Sequence, residues 1–220
     1  MPEGDDIVRK PLVTLTILVV CAVGATPEVV PVGVFSRGNL FGWQPKTFQG
    51  HTDYRLVTVN GVRALKATSD AAASGLIKQI RVDLTHTPFL TWRWRVDNVL
   101  PGLDEHSKSG DDYPARVYII LSGGFFFWNT RSLNYVWSSS QPIASAWTNA
   151  YTSNVMMIAV ESGSKKLGQW VTEKRNIRAD FLRYFGRDVT TIDAAALMTD
   201  TDNSGQRAIA YYGDLYFTEH

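Results

Sequence analysis

The chain has 220 residues, 45% hydrophobic and 20% charged, with 22 Lys+Arg against 21 Asp+Glu and a formal net charge of +1. That length suits one domain behind a short leader, and the balanced composition excludes wholesale disorder, a collagen repeat and a coiled coil. Basic residues are scattered along the chain, so no electrostatic footprint for nucleic acid or an anionic membrane is present.

Arg9 and Lys10 precede an apolar run over residues 12–23, which is followed by Gly24 and Ala25. That order predicts a signal peptide over residues 1–25, cleaved near Ala25, and export to the periplasm or the extracellular space. The run is too short to span a bilayer, so no stable membrane insertion is expected. Cys21 is the sole cysteine and no internal disulfide can form. A lipid anchor at Cys21 would require a small residue just before it, and Val20 is not small.

Residues 26–220 are expected to form a single domain. Residues 26–33 carry two prolines and read as an extended opening segment. Strand-like stretches follow at 54–59, 62–67, 75–82, 89–96, 115–121, 133–138, 155–161, 170–177, 194–198 and 208–217, separated by turn signals such as Asn60-Gly61 and Ser162-Gly163. This spacing predicts an all-β sandwich. Asn60-Gly61 is the clearest hairpin, because both residues tolerate the positive φ of a two-residue turn. Phe181, Leu182 and Phe185 at helical spacing, ending at Gly186, predict one short helix near residues 179–185. Residues 97–114 and 139–153 read as long loops, and Gly123-Gly124 before Phe125-Phe-Phe-Trp128 reads as a turn leading into an apolar segment.

Alternation along Thr91-Trp-Arg-Trp-Arg-Val96 puts Trp92 and Trp94 on one face and Arg93 and Arg95 on the other. Either the arginines pair with carboxylates, or they floor a groove for a ligand. The leading site candidate is Gly110-Asp-Asp-Tyr-Pro-Ala-Arg-Val-Tyr118, which sets Asp111, Asp112 and Tyr113 at a strand mouth and Arg116 and Tyr118 on one face. Such a set can orient sugar hydroxyls, ligate a hard cation or act in acid/base chemistry, while a plain turn with Asp-to-backbone hydrogen bonds is the simpler reading. Asp200, Asp202 and Ser204 alternate before Gly205 like the start of an EF-hand loop, but Tyr211 stands where the bidentate Glu belongs. This stretch reads as a polar turn or as an oxygen-rich ligand or cation site. Arg175 joins the candidate ligand-binding set, while Asn176 and Asp180 suit a helix N-terminus. The four histidines have no ligand spacing for zinc, and no nucleophile elbow is present.

The stretch through Phe35, Gly42-Trp43, Tyr54, Asn60-Gly61, Ala64-Leu65-Lys66-Ala67, Ser74-Gly75-Leu76 and Val82-Asp83-Leu84 resembles the opening of jelly-roll carbohydrate-binding modules. Tyr211-Tyr-Gly-Asp-Leu-Tyr-Phe217 is similar to their closing strand. With Gly110-Asp-Asp-Tyr113, Leu133-Asn-Tyr-Val-Trp137, Glu173-Lys-Arg-Asn176 and Met198-Thr-Asp-Thr-Asp-Asn203, the chain resembles an uncharacterised family of exported bacterial proteins, domain of unknown function 3047. The resemblance implies a galactose-binding-like jelly-roll β-sandwich and, at Asp214, a structural calcium shared with carboxylates near the first strand; Ser36 stands where one of those is expected.

The function expected is an exported glycan-recognition domain that binds a poly- or oligosaccharide through a polar, aromatic-rimmed cleft built from Asp111, Asp112, Tyr113, Arg116, Arg175, Asp200 and Asp202. Two alternatives stay open. One is a glycan-active hydrolase or lyase using Asp111 or Asp112 with Glu173 or Asp200, or Tyr113 as a base beside Arg116. The other is an envelope structural or protein-interaction module. The sequence sets no oligomeric state.

Overall fold

Apolar and polar residues alternate along several strand-length runs of the chain, which turns one face of such a strand to the core, while the strand Arg131–Ser138 is buried on both faces. The computed structural model describes Met1, residues 28–124 and residues 129–220. The expected leader beyond Met1, with Cys21, and the segment 125–128 lie outside the described residues. One sheet contains β1 (Val29–Gly33), β3 (Asp53–Val59), β4 (Val62–Asp70), β6 (Phe89–Val96), β11 (Val171–Asn176) and β13 (Arg207–Thr218), in the order β11-β6-β13-β4-β3 with β1 also pairing β13. The other contains β2 (Trp43–Gln49), β5 (Ala73–Asp83), β7 (Ala115–Leu121), β8 (Arg131–Ser138), β9 (Ala146–Thr148), β10 (Val155–Ser162) and β12 (Thr191–Asp200), in the order β2-β5-β12-β7-β8-β10-β9. The fold is an all-β jelly-roll sandwich with one short helix, α1 (Ile177–Phe185).

The core lies between the sheets. Trp92 and Trp94 from β6 meet Tyr135 and Trp137 from β8, all fully buried. Trp92 stands edge-on to Trp94 at 5.6 Å between centroids, 5.3 Å from Tyr135, and Trp94 is 5.9 Å from Trp137. Such pairs add about 0.5–1.5 kcal/mol each to the area they bury. On the outer face, Arg93 lies over Trp170 at 5.1 Å and Arg95 over Tyr211 at 5.2 Å while also bonding Asp97, so partnered arginines, not a ligand floor, occupy that face.

Asn60 and Gly61 take φ of 50° and 75° between β3 and β4, the left-handed pair of a two-residue hairpin turn. Asn176 caps α1 by accepting the Ala179 N–H at 2.9 Å, and Gly186 ends the helix at φ 63°. The sequence reading missed β1, β2 and β9. β1 and β2 contain Pro31 and Pro45, which alternation patterns reject but edge positions tolerate. β9, three residues inside the loop expected over 139–153, is too short to carry a period.

Glu173, a carboxylate of the hydrolase alternative, is opposite Trp92 in the β11–β6 register and therefore faces the core, with Oε1 buried. Burial, and then the neighbouring Glu161 carboxylate, push it up to about 7 against the pull of the Trp94 indole N–H, Lys166 and Arg175. The folded state thus holds this proton more tightly than the unfolded chain, and stability falls as pH rises from the ordinary glutamate value through 7. Glu173→Gln is expected to raise stability at pH 8 by about 1–2 kcal/mol, a linkage value reduced for partial exposure, and to leave it unchanged at pH 4. Urea unfolding at both pH values checks the sign.

Candidate functional site

Strand alternation creates the site. Ala115, Val117 and Ile119 of β7 and Leu133, Tyr135 and Trp137 of β8 enter the core, so Arg116, Tyr118 and Asn134 are displayed on the outer face of the seven-stranded sheet. Met198 and Asp200 from β12 and Phe48 from β2 join them around a cavity of about 390 Å³. A second hollow of about 150 Å³ shares Phe48, Tyr118 and Met198 and continues towards Ile77 and Ile120. The result is a groove with a polar end and an apolar end.

At the polar end the β7–β12 ladder stops at Arg116 and Met198, which would strand backbone groups in the interior. Two tyrosines from the opposite sheet cross the core to satisfy them. The Tyr212 hydroxyl donates to the Met198 carbonyl at 2.6 Å and accepts the Arg116 N–H at 3.3 Å. The Tyr54 hydroxyl donates to the Ser74 carbonyl at 2.7 Å and accepts the Thr199 N–H at 3.3 Å. Thr199 Oγ1 in turn donates to the Pro114 carbonyl at 2.9 Å. The strands can splay here without loss, and Asp200 and Arg116 turn towards each other.

Arg116 is 3% exposed. Its Nη2 meets Asp200 Oδ2 at 2.5 Å, lies 3.7 Å from Asp111 Oδ1 and bonds the Asp111 carbonyl, and its Nη1 donates to the Tyr118 hydroxyl at 3.0 Å. The guanidinium stacks on the Tyr113 ring at 4.3 Å. Burial opposes its charge, but Asp200, Tyr118 and Asp111 hold its pKa well above the ordinary arginine value. Burial also pushes Asp200 well above the carboxylate range; Arg116 pulls it back, while Asp112 and Asp111 add to the rise. Asp202 is raised by burial and by Asp112. Tyr118 is pushed up to about 12, chiefly by burial, so its phenol keeps its proton at neutral pH.

Two loops carry the remaining groups. Gly110 precedes the Asp pair because a Cβ there would overlap the backbone of Asp104. Glu105, 1% exposed, pins the same loop: its carboxylate accepts from Ser138 Oγ at 2.6 Å and the Ser139 N–H at 2.6 Å, and its carbonyl accepts from Tyr113 and Trp147. Asp112 accepts the N–H groups of Asn203 and Ser204 at 3.3 and 2.6 Å, clamping the loop that bears Asp202.

Asp111, Asp112, Tyr113, Arg116, Asp200 and Asp202 thus gather at one end of the groove. Asp111, Arg116, Asp200 and Asp202 line the cavity, while Asp112 and Tyr113 are fully buried behind it. Tyr113 donates to a carbonyl and burial raises its pKa, which removes it as a base. Arg175 does not belong to this group. It bonds Asp180 through Nε and Nη2 at 2.9 and 2.6 Å beside α1, where Tyr135 bonds the same carboxylate at 2.7 Å. Asp180 is therefore a buried anchor as well as a first-turn acid. Asp214 also stands apart, both oxygens taken by Ser36, through its N–H at 2.8 Å and its hydroxyl at 2.5 Å. The serine supplies hydrogen bonds where the resemblance implied a second carboxylate.

Phe48, Asn134, Asn149 and Tyr151 were missed. Asn134 had a signal, a polar residue inside the apolar run Leu133-Asn-Tyr-Val-Trp137; the other three sit in segments whose patterns say little. Breaking the buried pair tests the cluster's structural weight: Arg116→Ala is expected to cost about 3–5 kcal/mol by urea unfolding, since it leaves Asp200 and Asp111 uncompensated.

The chain belongs to the family described as Protein of unknown function (DUF3047), which matches residues 41–216. No curated protein matches it. Among solved structures it is similar to a family 11 carbohydrate-binding module from Clostridium thermocellum in complex with a β-1,3-1,4-mixed-linked tetrasaccharide, at 8% identity over 88% of this chain and 96% of that one, TM-score 0.46. It is also similar to the xyloglucanase domain of NopAA from Sinorhizobium fredii in complex with cellobiose, at 11% identity over 85% and 97%, TM-score 0.45. A cellulase derived from Cel12A of Rhodothermus marinus matches at 11% identity over 86% and 99%, TM-score 0.47. The site's chemistry is read from its own residues.

Proposed function

We propose that the protein is an exported glycan-recognition domain that binds an oligo- or polysaccharide in the groove across its seven-stranded sheet. The observation that carries this reading is a set of buried polar atoms around the cavity with no hydrogen-bond partner among the described residues: Asp111 Oδ1, Arg116 Nε and Asn134 Oδ1. Each such atom costs about 1–3 kcal/mol if left unpaired. Sugar hydroxyls both donate and accept, so one ligand class answers the two oxygens and the N–H together. Above them the rings of Phe48 and Tyr151 are 66% and 55% exposed, apolar surfaces fit for the C–H face of a pyranose.

Tyr151 is preorganised. Its hydroxyl donates to the Lys108 carbonyl and accepts from Asn203 Nδ2, both at 3.2 Å, with the Lys108 ammonium 5.3 Å from the ring. Asp111, Asp200 and Asp202 line the cavity with one arginine already engaged, which favours a neutral glycan over a uronate or a sulfated one. Hydrolysis needs two free carboxylates flanking the bond, one of them to donate a proton. Asp200 is taken by Arg116 and the Tyr113 N–H, and Asp112 by two backbone N–H groups, so recognition is the stronger reading. Export rests on the leader-like residues 1–25; among the described residues no helix is long and apolar enough to cross a membrane.

A glycan array followed by affinity electrophoresis tests the proposal. Phe48→Ala and Tyr151→Ala are each expected to weaken binding about tenfold, or about 1.4 kcal/mol, with the fold intact. An array with no neutral glycan bound, affinity unchanged from the parent in both variants, or release of reducing ends from the bound polysaccharide would overturn it.

A further inference from the structure

We infer that the acidic end of the groove is a hard divalent-cation site of the calcium type, held by Asp112, Asp200 and Asp202. Each offers one carboxylate oxygen, and the three oxygens lie within 4.8 Å of one another. Oxygens bound at about 2.3–2.6 Å to a common calcium ion can stand up to about 5 Å apart, so one ion can reach all three. The donors are all oxygen, with no imidazole or thiolate among them, which suits a hard cation and not zinc.

A second observation points to the same place. Asp111 is 8% exposed, and its Oδ1 is buried without a hydrogen-bond partner. Asn149 Nδ2 holds the other oxygen at 3.0 Å, which turns Oδ1 towards the Arg116 Nη2 that Asp200 contacts. That oxygen makes no hydrogen bond and lines the same cavity as Asp200 and Asp202, where it is available to an ion held by the triad through a bridging water. Charge completes the argument. Among the described residues, Arg116 is the one cation paired with Asp111 and Asp200, and Asp112 and Asp200 are 0% and 3% exposed. So large an excess of buried negative charge is not tolerated without protons or a cation. A divalent ion removes most of it without displacing Arg116. Asp202 is half-buried and lines the cavity, so the ion's remaining coordination positions face the groove.

This site is separate from Asp214, which lies on β13 of the opposite sheet and bonds Ser36. The test needs no glycan, so its failure leaves the glycan reading standing. The full chain is freed of metal with EDTA, exchanged into chelator-free buffer and titrated with calcium chloride by calorimetry, with terbium luminescence excited through the neighbouring tyrosines as a second readout. Uptake of about one ion per chain and a higher melting temperature with calcium are expected. Asp202→Asn, on a half-buried loop, is expected to weaken uptake tenfold or more while the metal-free variant melts like the metal-free parent; Asp214→Asn should bind as the parent does. Absence of heat with calcium and of terbium luminescence, uptake unaffected by Asp202→Asn, or uptake lost in Asp214→Asn would each overturn the inference.

Discussion

One guanidinium organises this molecule's polar end. Arg116 leaves a strand whose other face is packed in the core, and it sits in nearly complete burial against Asp200, the Asp111 carbonyl, the Tyr118 hydroxyl and the Tyr113 ring. A buried arginine is tolerable only when its donors are met, so the loop before β7 and the end of β12 are both drawn onto it. The shape of the groove follows from that demand. Removing the charge would release two loops and leave carboxylates facing one another.

The sandwich pays for this opening from its other sheet. Tyr54 and Tyr212 project from β3 and β13 across the core and bond backbone groups of β5, β7 and β12 at the end of the seven-stranded sheet where the β7–β12 pairing stops. Aromatic rings supply the apolar path through the interior, and hydroxyls arrive at its far side. The same residues therefore fill the core and support the site, so core and site are one construction.

Function follows from what these supports leave over. Asp112 and Tyr113 hold the scaffold together, whereas Asp111, Asn134 and Arg116 each retain a buried atom with no hydrogen-bond partner among the described residues. Exposed rings stand at the rim and an apolar hollow continues from the polar one. A ligand that is amphipathic on the scale of a sugar ring meets both surfaces at once.

Period-two alternation, the Asn60-Gly61 turn and the Asn176 and Gly186 helix ends are local properties, so the sequence by itself determined the sandwich class, most strands and the one helix. The same alternation put Arg116 and Tyr118 on one face, and the local clustering of acids marked Asp111, Asp112, Asp200 and Asp202 as candidates. Edge strands with prolines broke the pattern, which hid β1 and β2 and, with β2, Phe48. Partner choice was beyond it. Arg175 and Asp214 looked like ligand groups, yet one lies beside the acid of a helix and the other against a serine 178 residues away. Glu105, inside the stretch read only as a long loop, is buried and pins that loop. A charged side chain's role depends on what the opposite sheet and distant loops bring to it, and only the tertiary structure decides that, because the energy of a buried charge is set by its surroundings and not by its neighbours in the chain.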